Sequence, residues 1–260
     1  MPPLSHGLWA FLTALVCLSS CAMRTPGTTE TALATTPVGT SEVSPAAEST
    51  EPAKDEPSAH PGINDPYFQP DGPERYRRIL EAESREIVQR RSDIVDAMGL
   101  HRGMVVADIG AGTGLLTTEI AQRVGARGWV YAVDIVPEFL DLIRSRAAEQ
   151  GLRNVTVIQG EEKAAGLGPG SLDLAFMCDT YHHLEFPRAY MRSVFLSLRP
   201  GGRLVLVDMK RVEGESSASV LKHVRAGKAA VIEEVERAGF VFQSETELLE
   251  ENYYLHFRRP

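Results

Sequence analysis

Three glycines at alternate positions, Gly110, Gly112 and Gly114, stand between an apolar run and a helical pattern, and they restrict the fold more than any other feature. The run Val105-Val106-Ala107-Asp108-Ile109 has the near-continuous apolar character of a strand buried on both faces. Residues 115–124 then carry apolar side chains at helical spacing. A strand that enters a helix through residues lacking Cβ lets the backbone approach a ligand closely, and the helix start offers unpaired N–H groups. The alternation continues down the chain. Strands are expected at 105–109, 129–133, 155–159, 172–178 and 203–208, with helices at about 115–124, 137–150 and 188–198 and a further crossover helix at 219–238. Residues 240–257 read as two strands around Glu250-Glu251-Asn252, an antiparallel hairpin at a sheet edge. The pattern predicts an α/β, doubly wound parallel sheet. Upstream, Ile79, Leu80, Ile87, Ile94, Val95 and Met98 recur at helical spacing, so one long helix is expected over 73–98, ended by Gly99.

The turn also narrows the ligand. Dinucleotide sites use G-x-G-x-x-G. Here the spacing is G-x-G-x-G, and position 115 is Leu. Asp108, two residues before the first glycine, suits an ammonium group and would repel a pyrophosphate. Asp134 closes the second strand; an acid there can accept hydrogen bonds from both ribose hydroxyls, or it can cap the helix that Pro137 opens.

Taken together, residues 105–115 resemble the first motif of class I S-adenosylmethionine (SAM) dependent methyltransferases, and Tyr131-Ala132-Val133-Asp134 resembles the second. Gln159-Gly160-Glu161 stands where that family has Gly-Asp, with Glu161 in place of the Asp. Residues 171–176 resemble the fourth strand, and Leu198-Arg199-Pro200-Gly201-Gly202-Arg203-Leu204 the turn before the fifth. The resemblance implies a Rossmann-like, seven-stranded, mostly parallel sheet with the last strand antiparallel, preceded by an N-terminal helix, and S-adenosyl-L-methionine as cofactor. Carried over position by position, it implies that Asp108, Gly110 and Gly112 cradle the methionine end, with Ala111, Gly114 and Ile135 also binding the cofactor. Asp134 would hold the ribose, Glu161 would meet the adenine amino group, and the Cys178 carbonyl the ammonium. The Cys178 thiol itself reads as a small buried apolar group.

Beyond the fourth strand, Asp179-Thr180-Tyr181-His182-His183 should face the transferred methyl. His182 is the candidate base, with Asp179 orienting it or binding an amine, and Tyr181 beside them. His182 can equally contact the cofactor or be structural. No metal is expected, because neighbouring histidines rarely chelate one ion. Tyr76, Arg85 and Arg91 on the upstream helix are candidates for substrate contact, with a solvated charged face as the plainer reading. Only about ten residues, 209–218, separate the fifth strand from the next helix. That favours a small-molecule methyl acceptor over a protein.

Charge and cysteine content exclude other classes. The net charge is −8 and Lys and Arg form no basic block, which argues against nucleic acid. The three cysteines, Cys17, Cys21 and Cys178, show no metal-type pairing. Residues 8–18 form an apolar run too short to span a bilayer, ending in Leu18-Ser19-Ser20-Cys21, which resembles the lipobox of bacterial lipoproteins. Residues 1–21 thus read as a lipoprotein-type signal with Cys21 as a membrane anchor, although no Lys or Arg precedes the run, and a misplaced start with a cytoplasmic protein is the other reading. Residues 22–65, rich in Thr, Ser, Pro, Ala and Glu, are expected to be a disordered linker, and 66–260 the folded domain. Export would separate the domain from cytoplasmic SAM, so a non-catalytic, exported SAM- or nucleoside-binding module is the alternative to an enzyme.

Overall fold

A computed structural model describes residues 56–260 of the chain. The signal, Cys17, Cys21 and most of the expected linker lie outside the described residues. Three short helices come first: α1 (Gly72–Leu80), α2 (Glu86–Gln89) and α3 (Arg91–Ala97). There follow β1 (Val105–Ile109), α4 (Leu115–Val124), β2 (Trp129–Asp134), α5 (Pro137–Glu149), β3 (Val155–Gln159) and β4 (Leu172–Cys178). The chain ends with α6 (Pro187–Ser197), β5 (Leu198–Met209), α7 (Ala218–His223), α8 (Lys228–Arg237), β6 (Val241–Glu245) and β7 (Asn252–Arg258).

The seven strands form one sheet in the order β3-β2-β1-β4-β5-β7-β6. β1 to β5 pair in parallel, and β7 is antiparallel to both β5 and β6. The two-residue period of a strand sorts the apolar side chains to opposite faces. Ala107, Leu204, Leu206 and Leu255 pack with Met191 and Val194 of α6 and Val231 and Val235 of α8. Val106, Val205, Val207 and Tyr254 pack with Ile94 and Val95 of α3 and Ile120 and Val124 of α4. Strand order reverses between β1 and β4, the place where open α/β sheets leave a crevice beyond the strands' carboxyl ends.

Three expectations are corrected. The single helix over 73–98 is three pieces, because two side chains of its middle are claimed by the domain. Glu81 bonds Arg146 of α5 at 2.5 Å, and Arg85 bonds both the Leu80 carbonyl and Asp179. The crossover at 219–238 is also broken. Val224 and Gly227 are extended, and Arg225 between them makes a bidentate pair with Glu234 at 2.8 and 2.6 Å. Residues 56–65, expected in the linker, pack on the domain: Glu56 accepts from the backbone N–H groups of Arg188 and Ala189 at the start of α6, and Ser58 donates to Glu185.

Candidate active site

A cleft lies over the carboxyl ends of β1, β2 and β4, with about 1130 Å³ of empty space that includes open solvent. The glycine turn forms its floor. Gly110 has φ +70°, and a Cβ on it would stand 2.2 Å from Thr180 Oγ1, so only glycine lets the β4 loop close against the turn. Gly114 has φ +76° and caps α4, where a Cβ would meet Ile143 at 2.8 Å. It packs α4 on α5 and is not among the residues that line the cleft. Asp108, Gly110, Ala111, Gly112, Asp134, Ile135, Glu161 and Cys178 do line it.

The two carboxylates at the strand ends are almost out of water. Thr117 Oγ1 donates to Asp108 at 2.6 Å. Asp134 accepts from the backbone N–H of Gly112 at 2.7 Å and of Val136 at 2.9 Å. It therefore ties the glycine turn to the β2 turn and does not cap α5, whose N-cap is Val136. Burial is the main cause that raises both carboxyls, to about 6, against these hydrogen bonds. A carboxylate has about four acceptor sites, so both retain lone pairs for a ligand. The floor is thus a desolvated anionic surface, and a cradle that Cβ atoms would fill. These acceptors match the cationic methionine end and the ribose hydroxyls of SAM. Cys178 ends β4 with its thiol raised well above the ordinary range by burial and by Asp179 beside it, and its carbonyl accepts from Thr180 Oγ1 at 2.9 Å.

The expected catalytic group is only partly assembled at the cleft. Asp179 lines it. Its backbone is left-handed at φ +48°, a conformation Asp tolerates, and its carboxylate accepts from Arg85 at 2.5 Å and Asn252 at 2.6 Å. Burial and then Asp208 raise its pKa, opposed by Arg85 and His182. Tyr181 and His182 do not line the cleft, which corrects their expected place. The Tyr181 hydroxyl donates to Glu234 at 2.7 Å behind the loop. His182 is 3% exposed, its Nδ1 lies 2.6 Å from Asp208, and its N–H donates to the same carboxylate. Both residues sit in a short 3-10 turn (Tyr181–His183) whose inward face is fixed by β5. Burial works against the charge on His182, but Asp208 outweighs it and the pKa is raised.

The turn brings His183 into the cleft instead. Its Nδ1 is buried without a partner among the described residues, its Nε2 is 3.4 Å from the Tyr67 hydroxyl, and burial, with His182, His223 and His60 nearby, lowers its pKa to about 2. Of the upstream candidates, Arg85 lines the cleft, whereas Arg91 pairs with Glu119. Tyr67, which stacks on Tyr76 with centroids 4.1 Å apart, and Leu80 form the wall above the turn. Tyr67, Asn252 and Asp208 went unread in the sequence, since none stands in a motif. Only the alternation around Asp208, an acid inside an apolar strand, marks one of them.

A family model described as a methyltransferase domain matches residues 100–253, more than half of the chain. The chain belongs to this methyltransferase family. Its sheet order and glycine turn make it a class I, SAM-dependent member. The chain is 30% identical over 155 residues to a ubiquinone biosynthesis O-methyltransferase of Xanthomonas euvesicatoria pv. vesicatoria, covering 60% of this chain and 61% of that one. It is also 30% identical over 118 residues to a ubiquinone/menaquinone biosynthesis C-methyltransferase of Idiomarina loihiensis, 45% of this chain and 47% of that one. The chain thus spans about three fifths or less of the length of these relatives. Among solved structures, a SAM dependent methyltransferase from Aquifex aeolicus superposes with a TM-score of 0.66 at 25% identity, over 72% of this chain and 98% of that one.

Proposed function

We propose that the chain transfers the methyl group of SAM to a small, ring-bearing acceptor of quinone type. The observation that carries the reading is the pair of desolvated carboxylates, Asp108 and Asp134, facing one cleft across a glycine turn at the sheet's switch point. When bound, SAM supplies a methyl already activated on a sulfonium. Asp108 would hold the ammonium, Asp134 the ribose hydroxyls and Glu161 the adenine amino group. The upper wall of the cleft, with Tyr67, Leu80, Ile87 and Phe139, offers an apolar acceptor a largely apolar surface. The quinone class is supported by the names of the relatives, one an O- and one a C-methyltransferase.

Asp179 is the better proton acceptor for an acidic hydroxyl. It lines the cleft, and its raised pKa brings it nearer the working pH, where a general base is most effective. His183, neutral and weakly basic, lines the same cleft. Calorimetry of the full chain with SAM, S-adenosylhomocysteine and NAD tests the reading. Binding of the first two and not of NAD is expected, and heat from neither SAM nor its homocysteine product sinks it. Transfer of labelled methyl to catechol-type phenols then tests the acceptor class. Cys21 is proposed to hold the protein at the cell envelope. Labelled palmitate should mark the full chain and not Cys21→Ala, and an unlabelled protein would be cytoplasmic.

A further inference from the structure

His182, His183 and His223 meet although 40 positions separate the second from the third. The break between α7 and α8 is what delivers His223, at the last residue of α7, to the turn that holds the other two. Each offers a ring nitrogen, and the three nitrogens lie within 4.8 Å of one another. The rings are not stacked: centroids are 4.3, 4.9 and 5.0 Å apart at interplanar angles of 44, 70 and 69°.

Two further observations point to a ligand. Asp208, fully buried, holds Nδ1 of His182 at 2.6 Å, which leaves Nε2 as the free nitrogen. A carboxylate behind an imidazole is the arrangement that orients a metal-binding histidine. In addition, Nδ1 of His183 and Nδ1 of nearby His60 are buried without a partner among the described residues, a costly state unless something binds there.

We propose that His182, His183 and His223 form a three-imidazole site for a divalent transition metal of the Zn²⁺ class, set in the wall of the cleft that His183 lines. Three neutral nitrogen ligands with no carboxylate among them suit Zn²⁺, Co²⁺ or Ni²⁺ and disfavour Mg²⁺ or Ca²⁺. Tetrahedral zinc with bonds of about 2.0–2.1 Å needs nitrogens about 3.4 Å apart, so the widest pair closes by at most about 1.4 Å from its 4.8 Å limit. Rotation of half-buried His223 on its short helix supplies that movement. The site does not depend on the methyl-transfer reading.

The test uses the tag-free full chain, stripped with a chelator and equilibrated with ZnCl₂. One zinc per chain after desalting is expected, with zinc-edge X-ray absorption showing three imidazole nitrogens at about 2.0–2.1 Å. His223→Ala should weaken zinc at least about tenfold, and Asp208→Asn about 10–100-fold, by loss of a ligand and of its support. SAM affinity of His223→Ala, measured in parallel, should be unchanged. Substoichiometric zinc in the unaltered chain, an absorption spectrum without imidazole ligation, or undiminished binding by His223→Ala would each overturn the site. The absorption measurement on the unaltered chain depends on no variant folding, and none of these readouts requires SAM to bind.

Discussion

Asp108 and Asp134 have opposite consequences for binding and for stability. Both are raised to about 6 in the folded chain, above the ordinary carboxyl value of 3.8, with burial the main cause. The native state therefore holds protons that the unfolded chain releases, so stability falls as pH rises from about 4 to about 6 and is level above that. At neutral pH each ionised carboxylate costs about 3 kcal/mol. Affinity for cationic SAM should run the other way, rising through pH 6 as both groups ionise; calorimetry at pH 5 and pH 7.5 checks it, and equal affinities would refute the roles given to them. Asp108→Asn keeps the bond from Thr117 and removes the buried charge. It should stabilise the ligand-free protein by about 1–3 kcal/mol in urea titration and weaken SAM at least about tenfold. Gly110→Ala places a methyl 2.2 Å from Thr180 Oγ1 on a backbone at φ +70°. It should cost about 2–4 kcal/mol, and Thr180→Ala in the same chain should restore only part of the steric loss, because its Cβ stays 2.8 Å from the new methyl, and none of the part due to the left-handed backbone.

The pieces α1 and α2 are where helical periodicity misled. Six apolar residues at helical spacing describe a continuous helix, and the ends of that helix do form. Its middle opens because Glu81 and Arg85 find partners on α5 and the β4 loop that no local pattern reports. The opening is what brings Leu80 and Arg85 over the glycine turn. Arg85→Met would leave Asp179 buried with the Asn252 hydrogen bond and His182 to compensate it. A loss of about 2 kcal/mol is expected, less than for a fully enclosed pair because Arg85 is 22% exposed. Adding Asp179→Asn should recover most of it, since no charge then lacks its partner. Additive losses in that double-mutant cycle, read from thermal melts, would show that the two side chains are not coupled.

Across the whole molecule, the sheet's switch point sets the cleft, and the chain ahead of α1 closes on the opposite lip. Glu56 caps the start of α6 with both carboxylate oxygens, a cap and dipole contact of about 1 kcal/mol. A chain begun at residue 66 should therefore melt about 2–4 °C below one begun at 56, and Glu56→Ala in the longer chain should account for most of that difference. What the sequence determined by itself is the repeated unit and the cofactor end of the site. Strand, glycine turn and helix are local: apolar period and missing Cβ act over ten residues, and Asp108 and Asp134 are held at strand ends by that same unit. What only the tertiary structure decided is the acceptor side. Whether His182 or His183 faces the cleft depends on one turn of a 3-10 segment anchored by Asp208 from β5. Arg85, Asn252 and His223 reach the same region from elements far apart in the chain. Their positions follow from long-range packing and from paired buried charges, and these have no period along the chain to read.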